Sequence, residues 1–369
     1  MNTEIILAGL KAHPVRTAVG VLAVTLEVVL ILMLVGLTNG SLSDTGNRVA
    51  GVGGEIIFKN SDSSYFLGMS STILPLKLAR DIAMMEGIKA VAPVVTQIEQ
   101  SGGLTMVWGI DPESFDAMSG GFRFLSGRIF STPDEAVIDD RIARDRKLTV
   151  GSQFEVLSRM FTISGIVESG KGARIFIPIG TAQEMTNRPD SASVFYIKLN
   201  DKSQTREIIE RLKMTPRVGE GRDIIDADEW LSLMYASNSA LLGAVFNMIV
   251  LLGVSIGVLV IFLSMYTTVT ERTREIGILR AMGASKGFIV VLVIQESLVL
   301  CLIGAGVGIG SSFLLMVVLK TILPTLNILI TSEWILRASV FALLSGVIGS
   351  LYPAYKAASQ DPIEALAYE

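Results

Sequence analysis

Four stretches of this chain are too long and too apolar for a water-soluble fold, and they constrain everything between them. A helix needs about 20 predominantly apolar residues to cross roughly 30 Å of hydrocarbon. Residues 17–37 meet that requirement with one charge, Glu27. A second span lies in the uncharged run 230–270, most simply over 242–266. The third covers 288–318, interrupted only by Glu296, and the fourth covers 338–355 and is expected to close at Pro353. The charges sit elsewhere. Residues 41–240 carry 48 of the 66 charged residues, 31 of which are basic and 35 acidic across the chain. The expected fold class is therefore a membrane protein with four transmembrane helices and a mixed α/β extracytoplasmic domain inserted between helices 1 and 2.

Lys11 and Arg16 before the first apolar run also fit a secretory signal. That run exceeds an h-region of about 7–15 residues, and no small-residue cleavage site follows it, so a retained helix is expected. Basic residues near span ends set the orientation. Lys11 and Arg16 precede the first span, Arg272, Arg274, Arg280 and Lys286 separate the second from the third, and Lys356 follows the fourth. Both termini and the 267–287 connection are thus expected in the cytoplasm. The predicted order is a cytoplasmic N-terminus (1–16), a first span (17–40), an external domain (41–238), a second span (242–266) and a coupling segment (267–287). A third span (288–318), an external loop (319–335), a fourth span (336–356) and a cytoplasmic tail (357–369) follow.

Within the inserted domain, runs rich in Val, Ile and Phe predict strands at 54–59, 102–110, 136–138, 153–167, 174–178 and 193–199. Helical patterns occur at 75–85 and 204–214, the latter with Ile208, Ile209 and Leu212 on one face. Two subdomains are expected from about 200 residues, with 223–235 leading into the second span. Gly165-Ile-Val-Glu-Ser-Gly170-Lys171 satisfies the opening of a phosphate-binding loop. Gly172 stands where the magnesium-ligating hydroxyl belongs, and the strand-like run that follows replaces the required helix, so a surface hairpin is expected. Asp139-Asp140 read as partners of Arg141, Arg144 and Arg146 on a solvated face. No catalytic residues and no metal site are predicted: Cys301 is the lone cysteine, a single histidine is present, and the acidic balance (net charge −4) excludes a nucleic-acid partner.

Small residues at Gly253 and Gly257, and at Gly304 and Gly308, permit close helix approach, either to a second copy or within the chain. Glu27 at mid-membrane costs about 2.5–3.5 kcal/mol on insertion scales if charged, so it is expected neutral, paired or facing the bundle. Glu296 reads either as a helix-start residue near Lys286 or Arg280, or as an ion pair in a moving bundle. The segment from Thr270 to Ser285 predicts a short amphipathic helix, with Ile276, Leu279 and Met282 as its apolar stripe and Gly283 and Ser285 ending it. Such a helix docks into a groove on a cytoplasmic partner or lies on the bilayer surface.

Glu271-Arg-Thr-Arg-Glu-Ile-Gly-Ile-Leu-Arg-Ala-Met-Gly-Ala284 resembles the coupling segment of MacB/LolCE/FtsX-type, or type VII, ABC transporter permeases. Ser126-Gly-Arg128, Glu135-Ala-Val-Ile-Asp139, Val150-Gly151 and Phe161-Thr-Ile-Ser-Gly-Ile-Val-Glu168 are similar to the MacB-like periplasmic domain. Gln295-Glu-Ser297 with Gly304-Ala-Gly-Val-Gly308 resembles the family's third span, and 352–366 its C-terminal end. The resemblance implies a permease subunit of an export complex, working by mechanotransmission on a lipophilic, peptide or lipoprotein substrate outside the membrane. It implies a bacterial inner-membrane location, a second permease copy or homologue, and an ABC ATPase on a separate chain that binds ATP and magnesium. Glu271, Arg272, Arg274, Glu275, Gly277, Arg280 and Gly283 would then contact that ATPase. The compact external domain and the first span also resemble DevC-type permeases, which implies a periplasmic adaptor and an outer-membrane channel as further partners. The alternative is an FtsX-like regulator that activates a cell-wall enzyme without transport.

Overall fold

The computed structural model describes residues 14–61, 74–99 and 105–361. The N-terminal segment with Lys11, the start of the strand predicted from 102, and the tail from 362 lie outside the described residues. The described residues form two compact units, one within Met1–Gly40, Leu242–Thr321 and Ile328–Glu369, the other within Ser41–Leu241 and Ile322–Asn327.

The chain enters on α1 (Pro14–Ala50), followed by β1 (Ile56–Asn60), β2 (Leu74–Pro75) and α2 (Leu76–Ala83). Next come β3 (Ile88–Glu99), β4 (Thr105–Ile110), α3 (Pro112–Ser119), β5 (Phe124–Gly127), β6 (Glu135–Asp139) and α4 (Asp140–Arg146). A hairpin of β7 (Gln153–Val156) and β8 (Arg159–Val167) leads to β9 (Ile175–Pro178) and α5 (Ile179–Met185). After β10 (Ser191–Ala192), β11 (Val194–Leu199), α6 (Thr205–Met214) and β12 (Arg222–Asp226), the chain leaves on α7 (Ala227–Glu271). The helices α8 (Thr273–Ala281), α9 (Lys286–Ile322) and α10 (Ser332–Ser359) complete it.

Ten of the described strands of the inserted domain join in one sheet of order β12-β1-β11-β3-β4-β9-β6-β8-β5, with β7 beside β8, while β10 pairs with β2 in a separate two-stranded sheet. The link between the halves of the larger sheet is the parallel pairing of β4 with β9, which sets Trp108 opposite Phe176. Both faces of the sheet are covered. Ile56, Phe58, Val107 and Ile175 enter one core, while Ile57, Trp108, Phe176 and Tyr196 enter the other. That is why β1 is buried at every position, with Ile56, Ile57 and Phe58 in succession and Lys59 paired with Asp223. Two short helices carry local start signals: Asp111 caps α3 by accepting from the Ser114 amide at 3.0 Å, and Asp139 caps α4 by accepting from Ile142 at 2.7 Å.

Among the described residues, four helical stretches are long and apolar enough to cross a membrane: Thr17–Ala50, Asn247–Glu271, Lys286–Ile322 and Ser332–Ser359. Between α1 and α9 the fit is set by glycine. A Cβ at Gly304 would stand 2.7 Å from Val24 Cβ, and one at Gly308 would stand 2.9 Å from Val28 Cβ. The α9–α10 contact uses small polar residues: Ser297 Oγ meets Ser350 Oγ at 3.0 Å, and Gly346 accommodates Cys301 Sγ. The fourth helix does not close at Pro353 but continues to Ser359. Proline forfeits only the hydrogen bond to the carbonyl four residues back and crowds that turn. Here that residue is Gly349, which has no side chain to add to the crowding.

Candidate functional site

The segment that joins α7 to α9 is held on one side and open on the other. On α8, Ile276 and Gly277 are buried and Leu279 packs against the helical core, whereas Arg274, Glu275, Ile278 and Met282 are exposed. The predicted stripe is therefore corrected at its end: Met282 is 72% exposed and faces away from Ile276. The cause is the cap. Gly283 takes φ +96° and the Ala284 amide reaches back to the Leu279 carbonyl at 3.0 Å, which ends the helix at Ala281 with Met282 as its cap. Ser285 Oγ then accepts from the Phe288 amide at 3.2 Å and starts α9.

The seven predicted coupling residues divide between the two sides. Glu271, Arg274, Glu275 and Gly283 are exposed. Arg272 turns inward, with Nη1 at 3.4 Å from the buried Glu296 and Nε at 2.7 Å from Glu275. Arg280 points its Nη1 at the Ala284 carbonyl, and Gly277 is buried. Glu296 is not a helix-start residue, since it lies in the third turn of α9 and pairs with Arg272 from the α7–α8 junction. Two contacts tie α10 to this region. Lys356 Nζ lies 2.6 Å from Tyr266 Oη and 4.3 Å from its ring, and Gln360 donates to Thr273 Oγ1 at 3.4 Å.

The intramembrane carboxyl has an intrachain setting. Glu27 is 4% exposed, and its Oε1 accepts from Ser345 Oγ of α10 at 3.0 Å. A Cβ at Gly257 would fall 2.2 Å from Oε2, and one at Gly253 would stand 3.8 Å from Cγ. The α7 glycines thus make room for Glu27, as Gly304 and Gly308 make room for Val24 and Val28.

A second constellation lies in the inserted domain and was missed in the sequence. Arg174 donates from Nη1 to Asp139 at 3.0 Å, and from Nη2 both to Asp44 at 2.8 Å and to the Thr325 carbonyl at 3.1 Å. Asp44 also accepts from Arg141 at 2.8 Å and pairs with Arg48 at 3.2 Å. Burial pushes the Asp139 carboxyl up, and the Arg174 guanidinium and Ile142 amide oppose that rise. The cluster gathers the end of α1, the turn into α4, the start of β9 and the 322–327 connection. Of the three predicted partners, Arg144 pairs with Asp140 at 2.7 Å, whereas Arg141 pairs with Asp44. The available signal was Arg174 itself, a lone cation opening an apolar run, which demands a buried partner.

The glycine-rich segment before it has a structural duty. Lys171 donates to the carbonyls of Ser119, at 2.8 Å, and of Gly121, closing the C-terminal end of α3. Gly172 has φ +56°, and a Cβ there would meet the Trp108 ring at 2.1 Å.

Comparison with known proteins gives matches over most of this length. Residues 17–215 match the family described as MacB-like periplasmic core domain, and residues 247–362 match the FtsX-like permease C-terminal family. An uncharacterized ABC transporter permease, YknZ, of Bacillus subtilis (strain 168) is 26% identical, over 100% of this chain and 99% of its own length. The macrolide export ATP-binding/permease protein MacB of Neisseria gonorrhoeae is 23% identical over 97% of this chain, which spans 59% of that protein. The crystal structure of the periplasmic region of MacB from Actinobacillus actinomycetemcomitans covers 51% of this chain and 96% of its own, with 15% identity and a TM-score of 0.39.

Proposed function

Since the chain belongs to the family of ABC transporter permeases that combine a MacB-like periplasmic core domain with an FtsX-like permease region, we propose that it is the transmembrane subunit of an ABC-type export complex. In this reading the chain catalyses nothing itself. ATP and magnesium bind a partner ATPase on a separate chain, and the permease passes the motion of that partner to the inserted domain. The complex sits in the bacterial inner membrane with both termini in the cytoplasm, and contains a second permease copy or homologue. The inserted domain handles a lipophilic, peptide or lipoprotein substrate, with a periplasmic adaptor and an outer-membrane channel as further partners.

The observation that carries this reading is the two-sided α8. Its inner side is anchored by Ile276 and by the Arg272–Glu296 pair, while Arg274, Glu275, Ile278 and Met282 remain outward. An amphipathic helix fixed from behind and mixed in charge and apolar surface in front is built to fill a partner's groove. Helix continuity supports transmission. α1 carries unbroken helix past Gly40 and α7 past Leu242, so each contributes residues to both units.

The test is mild-detergent purification of the tagged chain from native cells. An ATP-binding subunit is expected to accompany it, and to be lost on joint Arg274→Glu and Glu275→Arg substitution. An undiminished complex in that variant removes the outer face of α8 from the docking site. Unchanged export with altered cell-wall hydrolase activity in a deletion strain selects the regulator instead.

A further inference from the structure

The groove between α3 and β5 belongs wholly to the inserted domain and uses no residue of the Arg174 network. Phe115, Phe122, Phe124 and Ile129 wall this open pocket of about 350 Å³, and Glu113 and Asp116 are the charged residues among its lining. That volume suits a small molecule, whose sites run from about 300 to 1,000 Å³. The rings are fixed in place. Phe115 is buried and stacks on Phe122, with centroids 5.0 Å and planes 20° apart. Phe124 stands nearly perpendicular to Phe122, at 6.2 Å and 71°. The Cδ1–Cε1 edge of Phe124 is seated at Gly165, where a Cβ would fall 2.8 Å from Cε1. Phe122 and Phe124 nonetheless stay partly exposed. Aromatic rings held at an angle form a corner that suits a cation, which is drawn to ring faces.

The charge leads to the same ligand. Glu113 and Asp116 are both exposed and stand one turn apart on α3, so they are neighbours of like sign on the helix surface. Among the described residues, neither carboxylate takes part in an ion pair or a side-chain hydrogen bond. The cations that flank the groove in sequence are committed elsewhere: Arg123 to Glu168 at 3.0 Å, and Arg128 to Glu135 at 2.7 Å. Lys171 feels the charge of Asp116, but its ammonium donates to the Ser119 and Gly121 carbonyls. The third acid of this stretch, Asp111, is occupied in capping α3. A hard metal ion does not suit the groove, because it asks for about six or more oxygens and these walls are carbon.

We propose that the α3–β5 groove binds a small organic cation of the alkylammonium class, its nitrogen held between the two carboxylates and the Phe122–Phe124 corner and its apolar body against Ile129. An alkylated nitrogen presents carbon to the rings and keeps its charge for Glu113 and Asp116. A lysine from a protein partner would bring the same charge, but would leave part of its three N–H donors unmet against carbon walls. Occupancy clasps α3, which follows the central strand β4, to β5 at the edge of the sheet. The site does not depend on α8 docking an ATPase, so either idea can fail alone.

The experiment is isothermal titration of the full chain in maltoside micelles with benzyltrimethylammonium, a soluble cation that is not a detergent; empty micelles are the blank. Saturable binding of one cation per chain is expected, weakening as salt is raised. Benzyl alcohol, which keeps the ring and lacks the charge, should not compete. Joint Glu113→Gln and Asp116→Asn substitution should weaken binding at least about tenfold, and Phe122→Leu about two- to fivefold. Each variant is scored only if its thermal midpoint matches the parent; the benzyl alcohol competition needs no variant. Equal competition by benzyl alcohol, or undiminished binding in the folded acid variant, reduces the groove to an apolar surface and overturns the proposal. Absence of saturable binding overturns it as well. Tighter binding of acetylarginine methylamide than of benzyltrimethylammonium assigns the groove to a protein partner's arginine and overturns the small-molecule assignment.

Discussion

Arg174 of the inserted domain and Glu27 of the helical unit are buried by opposite means, although the helical unit also holds one ion pair, Arg272–Glu296. In the domain, Arg174 is surrounded by two carboxylates and a carbonyl, and both carboxylates have further donors in Arg141, Arg48 and the Ile142 amide. In the helical unit, Glu27 has one hydroxyl, from Ser345. The difference is one of supply. A sheet flanked by short helices ends many strands and helices near each other, so free backbone groups and side chains can complete an ionic network. Long parallel-running helices use their backbone groups internally. What remains is serine, threonine and the space left by glycine, and the helical unit draws on all three.

The strongest way to break this comparison is Arg174→Met. It leaves Asp44 and Asp139 together in the core without their shared cation, and should destabilise the domain by about 3–5 kcal/mol. Thermal melting or limited proteolysis of the purified chain reads that loss; an unchanged midpoint makes the network energetically idle. Next in size is the Gly257–Glu27 contact. Gly257→Ala places a methyl where Oε2 now lies, an overpacking worth about 1–3 kcal/mol, and combining it with Glu27→Ala should recover part of the loss. A double-mutant cycle in detergent melts gives the coupling, and strict additivity would show that the two do not share space.

Ser297→Ala tests the small-polar packing of α9 on α10 and should cost about 1 kcal/mol. It ought to be milder than Gly346→Leu, which collides with Cys301. The weakest effect concerns Glu135, which accepts from Arg128 at 2.7 Å and from the Ser131 amide at 2.7 Å. The Arg128 guanidinium and that amide hold its carboxyl below the ordinary 4.5. Its folded pKa being depressed, its contribution is complete above that value and fades as pH falls through the folded pKa. Partial exposure keeps it under about 1 kcal/mol. Acid titration of stability should therefore be slightly shallower in Glu135→Gln.

What the sequence disclosed followed from how far apart the cooperating residues lie. The spans, the inserted domain and α8 were legible because hydropathy, charge and helical spacing are local. β3 was not: Pro93 interrupts its apolar run, yet the strand is central and pairs with both β11 and β4. The Asp44–Arg174 pair joins positions 130 residues apart, and no local pattern announces such a match. For α8, spacing placed Ile276 and Leu279 together but did not say where the helix would stop, so Met282 was put on the wrong side. The glycines were found by type, while their partners, Val24, Val28 and Glu27, are visible only in three dimensions.

The double duty of Arg174 Nη2 has a mechanical meaning. One nitrogen holds Asp44 on α1 and the Thr325 carbonyl on the connection that follows α9. Because Asp44 is gripped from a second side by Arg141 of α4, Arg174→Met should loosen the 322–327 connection more than it loosens the end of α1.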